Sequence, residues 1–136
     1  ISGNKVSDLA GRWRAETLDL KPDVLSILVG INETVALVLQ REPVVSVKKY
    51  EEIYNELLEQ TLSGFPEILL VLCEPFLLNV GRIGERWEEY HSDVIQRQAI
   101  VRKLAAKYNT VFVGFQEVFD LLDNACSELI KKIFKN

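Results

Sequence analysis

The sequence predicts an α/β fold, a three-layer α/β/α domain built on a parallel sheet. Three observations predict it. Residues 24–29 (VLSILV), 68–73 (ILLVLC) and 110–113 (TVFV) are almost continuously apolar, as strands covered on both faces are, whereas half-exposed antiparallel strands alternate. Apolar stripes at helical spacing lie before, between and after these runs, which is the pattern of βαβ units. Turn residues bound each run, so the runs are short enough to be strands rather than buried helices.

The elements follow in order. Residues 7–18 carry Leu9, Trp13 and Leu18 among charges, with Ser7 or Asp8 as the expected helix cap. The first strand follows Lys21-Pro22-Asp23 and stops at Gly30. Residues 47–62 place Tyr50, Ile53, Tyr54, Leu57, Leu58 and Leu62 on one helical stripe. The second strand follows Gly64-Phe65-Pro66 and stops before Pro75. Residues 92–108 read as a helix capped by Ser92, with Val94, Ile95, Ile100, Val101, Leu104 and Ala105 repeating at helical spacing. The third strand follows Asn109 and stops at Gly114, and residues 117–134 carry Leu122, Cys126, Leu129 and Ile133 as a last amphipathic helix. No repeat or low-complexity segment interrupts this, so residues 1–136 read as a single domain.

Composition narrows the function classes. The chain has 136 residues, 48% of them hydrophobic and 26% charged, and a net charge of −4. That is enough apolar residue for a core, and it excludes collagen, disorder and a disulfide-stapled miniprotein. An acidic balance without a basic run argues against a nucleic-acid partner. No apolar stretch reaches the roughly 18 residues of a membrane span. The two cysteines, Cys73 and Cys126, form no C-x-x-C, which leaves no zinc knuckle or thioredoxin motif. Cys73 lies in an apolar run and reads as a buried thiol, which favours a reducing compartment such as the cytoplasm. The first residue is Ile1 and the chain holds no Met, so a processed amino end or a piece of a longer chain is expected, with any signal peptide upstream.

In parallel α/β sheets ligands sit at the carboxyl ends of the strands. Three loops are therefore the candidate site: Gly30-Ile31-Asn32-Glu33-Thr34, Glu74-Pro75-Phe76 and Gly114-Phe115-Gln116. The chain has no G-x-S-x-G elbow, no phosphate loop and no H-E-x-x-H pair. Asn32-Glu33-Thr34 fits the N-glycosylation triplet, at a strand end poorly placed for a glycan. His91, the only histidine, stands three residues after Glu88. With no nucleophile nearby it reads as an exposed residue beside a polar run.

Two motifs resemble the GDSL/SGNH hydrolase family of serine esterases. Ile1-Ser2-Gly3-Asn4, followed by a helix with Leu9 and Arg12-Trp13, is similar to the family's second block. Leu28-Val29-Gly30-Ile31-Asn32-Glu33 is similar to its third block, usually Gly-x-Asn-Asp. Residues 19–24 and 71–76 add to the likeness, which runs from Ile1 to about Phe119 and is greatest for the lipase and carbohydrate-acetylesterase branch. The resemblance implies a flavodoxin-like sheet of strand order 2-1-3-4-5, of which this chain would hold the third, fourth and fifth strands. The absent first strand would leave the strand at 24–29 with an open edge, inviting self-association. It also implies hydrolysis of acyl esters, acetylated carbohydrates among them, with no metal or organic cofactor.

The resemblance assigns catalytic roles to Gly3 and Asn32, as oxyanion donors through a backbone N–H and a side-chain amide. Taken alone, Gly3 is also readable as a turn glycine and Asn32 as a turn or cap residue. Substrate contacts are expected from Glu33, Glu74 and Phe76; for residues 74–76 a strand terminator with a core aromatic is an equal reading. The family's Gly-Asp-Ser nucleophile block precedes the second block, and its Asp-x-x-His base block is absent here. The expectation is therefore a domain truncated at its amino end and divergent after about residue 120, inactive by itself. The alternative is a non-catalytic α/β binding module, or a degenerate esterase acting through a partner, with the helix at residues 121–134 as its docking element. A nucleotide-binding domain ranks last, for want of a Gly-rich phosphate loop.

Overall fold

A computed structural model describes residues 1–133. The elements run α1 (Val6–Glu16), β1 (Val24–Leu28), α2 (Ile31–Val38), α3 (Val47–Gly64), β2 (Leu69–Cys73), α4 (Gly81–Gly84), α5 (Trp87–Tyr108), β3 (Val111–Val113) and α6 (Phe115–Ile133). The sheet has the order β1-β2-β3 and is parallel throughout, with Leu25 opposite Leu70, Ile27 opposite Leu72, and Leu72 opposite Phe112. This is the arrangement expected from three apolar runs separated by helices.

Strand pleating sends alternate residues to opposite faces. On one face Ile27, Leu70 and Leu72 are buried against Tyr50, Tyr54, Leu57 and Leu58 of α3 and Val101 and Leu104 of α5. Trp13 of α1 joins this core and donates its indole N–H to the Thr61 hydroxyl at 3.0 Å, pinning α1 to α3. On the other face Val24, Leu28, Leu69 and Val111 are exposed. Val38, Leu77, Tyr90 and Val94 form a second, smaller core beneath α2. Among the described residues β1 pairs with β2 alone, and no helix is long and apolar enough to cross a membrane.

Several element boundaries differ from the sequence reading, each for a local reason. Neither Ser7 nor Asp8 is the cap of α1; Lys5 precedes the helix and its N–H donates to the Asp8 carboxylate at 2.7 Å. The stretch read as a loop at residues 30–34 turns at once into α2. Ser92 is not a cap but lies inside α5, its hydroxyl donating to the Glu89 carbonyl. The helix starts a turn and a half earlier, with Glu88 and Glu89 in its first turn, where the helix dipole favours acids. α6 starts at Phe115, because the Glu74 carboxylate accepts the Gln116 N–H at 3.1 Å. Phe134, placed at the end of that helix by its spacing, lies outside the described residues.

Candidate active site

A cavity of about 550 Å³ opens at the carboxyl ends of β1 and β2. Its walls include Gly3, Asn4, Arg12, Asn32, Pro75 and Phe76. Two of the three predicted loops thus meet there, joined by the segment before α1. A larger depression, about 910 Å³, lies near Lys21 and Phe65 beside the amino ends of the strands. It is more open, is lined by charged side chains, and lies away from the end of a parallel sheet where ligands bind.

Gly30 makes the turn from β1 into α2. Its φ is +136°, a conformation that side chains other than glycine rarely adopt, and a Cβ there would stand 3.0 Å from both Pro75 Cγ and the Tyr50 hydroxyl. The Tyr50 hydroxyl in turn donates to the Val29 carbonyl at 2.8 Å. This tight turn delivers Asn32 into the first turn of α2. The Asn32 amide nitrogen donates to the Asn4 carbonyl at 2.8 Å, linking α2 to the Gly3 segment. An amide NH₂ carries two hydrogens, so one donor remains for a ligand. Gly3 sits at φ +85° with open space around its Cβ position, so conformation and not crowding selects glycine. Among the described residues its N–H has no acceptor. Gly3 and Asn32 thus line a single cavity.

The structure separates the remaining site residues. Phe76 lines the cavity and stacks on Phe119 with ring centroids 4.4 Å apart. Glu33 turns away: it is fully buried, and its carboxylate accepts the Val6 N–H at 2.5 Å. Burial raises its pKa above the usual carboxylate value, only partly opposed by the Val6 hydrogen bond and the charge of Arg97. Glu74 is also buried and faces α5 and α6, where Arg102 donates to it at 3.1 Å. His91 stacks on Trp87 outside the cavity. The glycosylation triplet is closed off, since Thr34 is fully buried and donates to Asp93 at 2.6 Å.

Pro75, part of a predicted site loop, lines the cavity, whereas sequence reasoning did not place Arg12 there or find the buried pair beneath the site, Asp93 and Arg97. Arg97 is wholly inaccessible; it donates to Asp93 at 2.8 Å and to the Val45 carbonyl at 3.0 Å, and its guanidinium stands 5.2 Å from the centroid of the Tyr50 ring. The signal was present. Asp93 and Arg97 are spaced i, i+4 on the same stripe as Val94 and Val101, where a solvent-facing pair would not fall.

Fold and cavity together define a parallel α/β protein with a pocket at the carboxyl ends of its strands. Comparison with known proteins gives the family. The chain belongs to the GDSL-like lipase/acylhydrolase family, which matches residues 1–130. It is 30% identical over 123 residues to the acetylxylan esterase of Geobacillus stearothermophilus, covering 88% of this chain and 53% of that protein. It superposes with a TM-score of 0.84 on a structure from Parabacteroides merdae ATCC 43184 described as a GDSL-like lipase, at 37% identity, covering 92% of this chain and 56% of the other. A catalytic mutant of the Geobacillus acetylxylan esterase superposes with a TM-score of 0.77 at 28% identity, covering 91% and 55%. The chain thus spans about half the length of the relatives it matches.

Proposed function

We propose that this chain forms the oxyanion-holding side of a serine esterase that removes acetyl groups from carbohydrate. One observation supports the reading: Gly3 and Asn32, which carry a backbone N–H and a side-chain amide, line the same cavity at the strand ends. In ester hydrolysis a serine hydroxyl gives its proton to the base as its oxygen attacks the acetyl carbonyl, whose oxygen becomes anionic in the tetrahedral intermediate. Collapse expels the sugar oxygen, which takes a proton from the base; water then attacks the acyl-serine and releases acetate. Two fixed N–H donors aimed at the anionic oxygen stabilise that intermediate, and they do so without changing protonation state. Phe76 and Pro75 give the cavity an apolar wall beside those donors, a place for the acetyl methyl. The acetyl and carbohydrate preference rests on the acetylxylan esterase likeness.

In this reading the nucleophile and the base lie outside the 136 residues, and the chain by itself does not turn over ester. A second reading, a binding module working through a partner, draws on α6. Leu121, Leu122, Leu129, Ile130 and Ile133 are all exposed on that helix. Acetyl release from acetylated xylo-oligosaccharide, measured on the protein expressed from its full open reading frame, separates the two. The esterase reading expects turnover that falls by about 100- to 1,000-fold in Asn32→Ala, the typical effect of removing one oxyanion donor. Absence of turnover, or full turnover in Asn32→Ala, overturns it.

A further inference from the structure

Glu33 stands next to Asn32 in the first turn of α2, yet its side chain leaves the cavity and enters the protein. Its Oε1 accepts the N–H of Val6, the first residue of α1 and only three residues past Gly3. The first N–H groups of a helix have no partner within the helix. Here a carboxylate from a distant element takes the place of a local cap. Glu33 has no solvent exposure, so water does not compete for the bond, and among the described residues its buried Oε2 has no partner. The following residue, Thr34, donates to Asp93, which is held by Arg97. Two consecutive residues of α2 therefore fasten it to α1 on one side and to α5 on the other. The direct link between the two donors, Asn32 to the Asn4 carbonyl, is a single neutral bond in a half-buried setting.

We propose that Glu33 is a positioning residue of the esterase site: its buried acceptor holds the Val6 N–H and so sets the spacing between the Gly3 N–H and the Asn32 amide. The proposal rests on the oxyanion reading of those two donors. A merely structural Glu33 would affect unfolding but not turnover at temperatures where the protein is fully folded.

The test measures kcat and KM for acetylated xylo-oligosaccharide on the protein from its full open reading frame, well below each variant's unfolding temperature. The Val6 amide is followed in parallel by ¹H–¹⁵N NMR. Glu33→Ala is expected to move the Val6 amide proton upfield and to lower kcat on the order of 100-fold, the scale of a 1 Å misplacement, with KM little changed. Glu33→Gln keeps an oxygen acceptor and is expected to recover most of that loss. Should Glu33→Ala fail to fold, Val6→Pro removes the same bond from the donor side. Proline is tolerated at the first helical position, and Lys5 before it is already extended, as a residue preceding proline must be. A folded Glu33→Ala or Val6→Pro with unsubstituted kcat overturns the proposal while Asn32→Ala still loses activity. Unsubstituted kcat in Asn32→Ala instead overturns the oxyanion reading itself, and the proposal with it.

Discussion

Gly30→Ala probes the turn on which the site depends. The backbone there lies at φ +136° and ψ −29°, and holding an alanine in so sparsely populated a region costs about 1–3 kcal/mol. The added methyl also meets Pro75 Cγ and the Tyr50 hydroxyl at 3.0 Å, and Pro75 Cβ at 3.1 Å. Proline is a stiff ring, so the tyrosine must give way. That weakens its bond to the Val29 carbonyl, a loss of about 1 kcal/mol. The expected destabilisation is about 2–4 kcal/mol. Urea unfolding, with the m-value compared between variants, measures it directly. Gly3→Ala is the internal control, because φ is positive there too but none of the described residues stands within 4 Å of the new methyl. It should lose about 1–2 kcal/mol, from conformation alone. Equal losses at the two positions, or a loss below about 1 kcal/mol at Gly30, would refute the claim that Pro75 and Tyr50 close over this turn.

Other consequences are equally open to measurement. Arg97→Met removes the partner of a buried carboxylate and should cost about 3–5 kcal/mol in urea unfolding. The double substitution with Asp93→Leu should cost less than Arg97→Met alone, since no unpaired charge is then left inside. The buried Glu33 carboxyl has a raised pKa, so between its unfolded and folded values the native state binds the extra proton. The stability this contributes is full below the ordinary value near 4.5 and is lost as pH rises through the folded value. Stability of Glu33→Gln minus that of the unsubstituted protein should therefore increase from pH 4 towards neutrality. Glu59 and Glu89, whose pKa values are lowered by hydrogen bonds from Asn55 and Tyr108 and from Arg86 respectively, act in the opposite sense. They are common to both proteins and cancel in the difference. A flat or falling difference would contradict the burial of an ionisable Glu33.

The strands and the α3 stripe were legible because a parallel sheet needs apolar runs and a packed helix needs a repeat. Tyr50, Tyr54, Leu57 and Leu58 fall where that repeat puts them. α2 was not legible. Its eight residues are largely apolar and show no solvent face to set a period, and Gly30 in front of it reads as any turn glycine. Gly3 and Asn32 carry no signal as single residues; only the spacing of two family-like blocks singled them out. The structure puts both on one cavity wall, which no periodicity encodes. Glu33 shows the limit more sharply. A glutamate beside Asn32 reads as a substrate contact, yet its carboxylate is buried and bonded to Val6, 27 residues away in sequence. Asp93 and Arg97 are the same kind of case, visible only as charges placed on an otherwise apolar stripe.

The central claim is that a backbone amide and a side-chain carboxamide, brought from two segments, point at one place where an anionic oxygen can sit. Titrating the ¹⁵N-labelled chain with acetate, the anionic product of the proposed reaction, tests it most directly. The Gly3 backbone signal and the Asn32 side-chain signals should shift together and saturate with a common dissociation constant. Shifts at only one of the two, or two different constants, would show that the donors do not share a site.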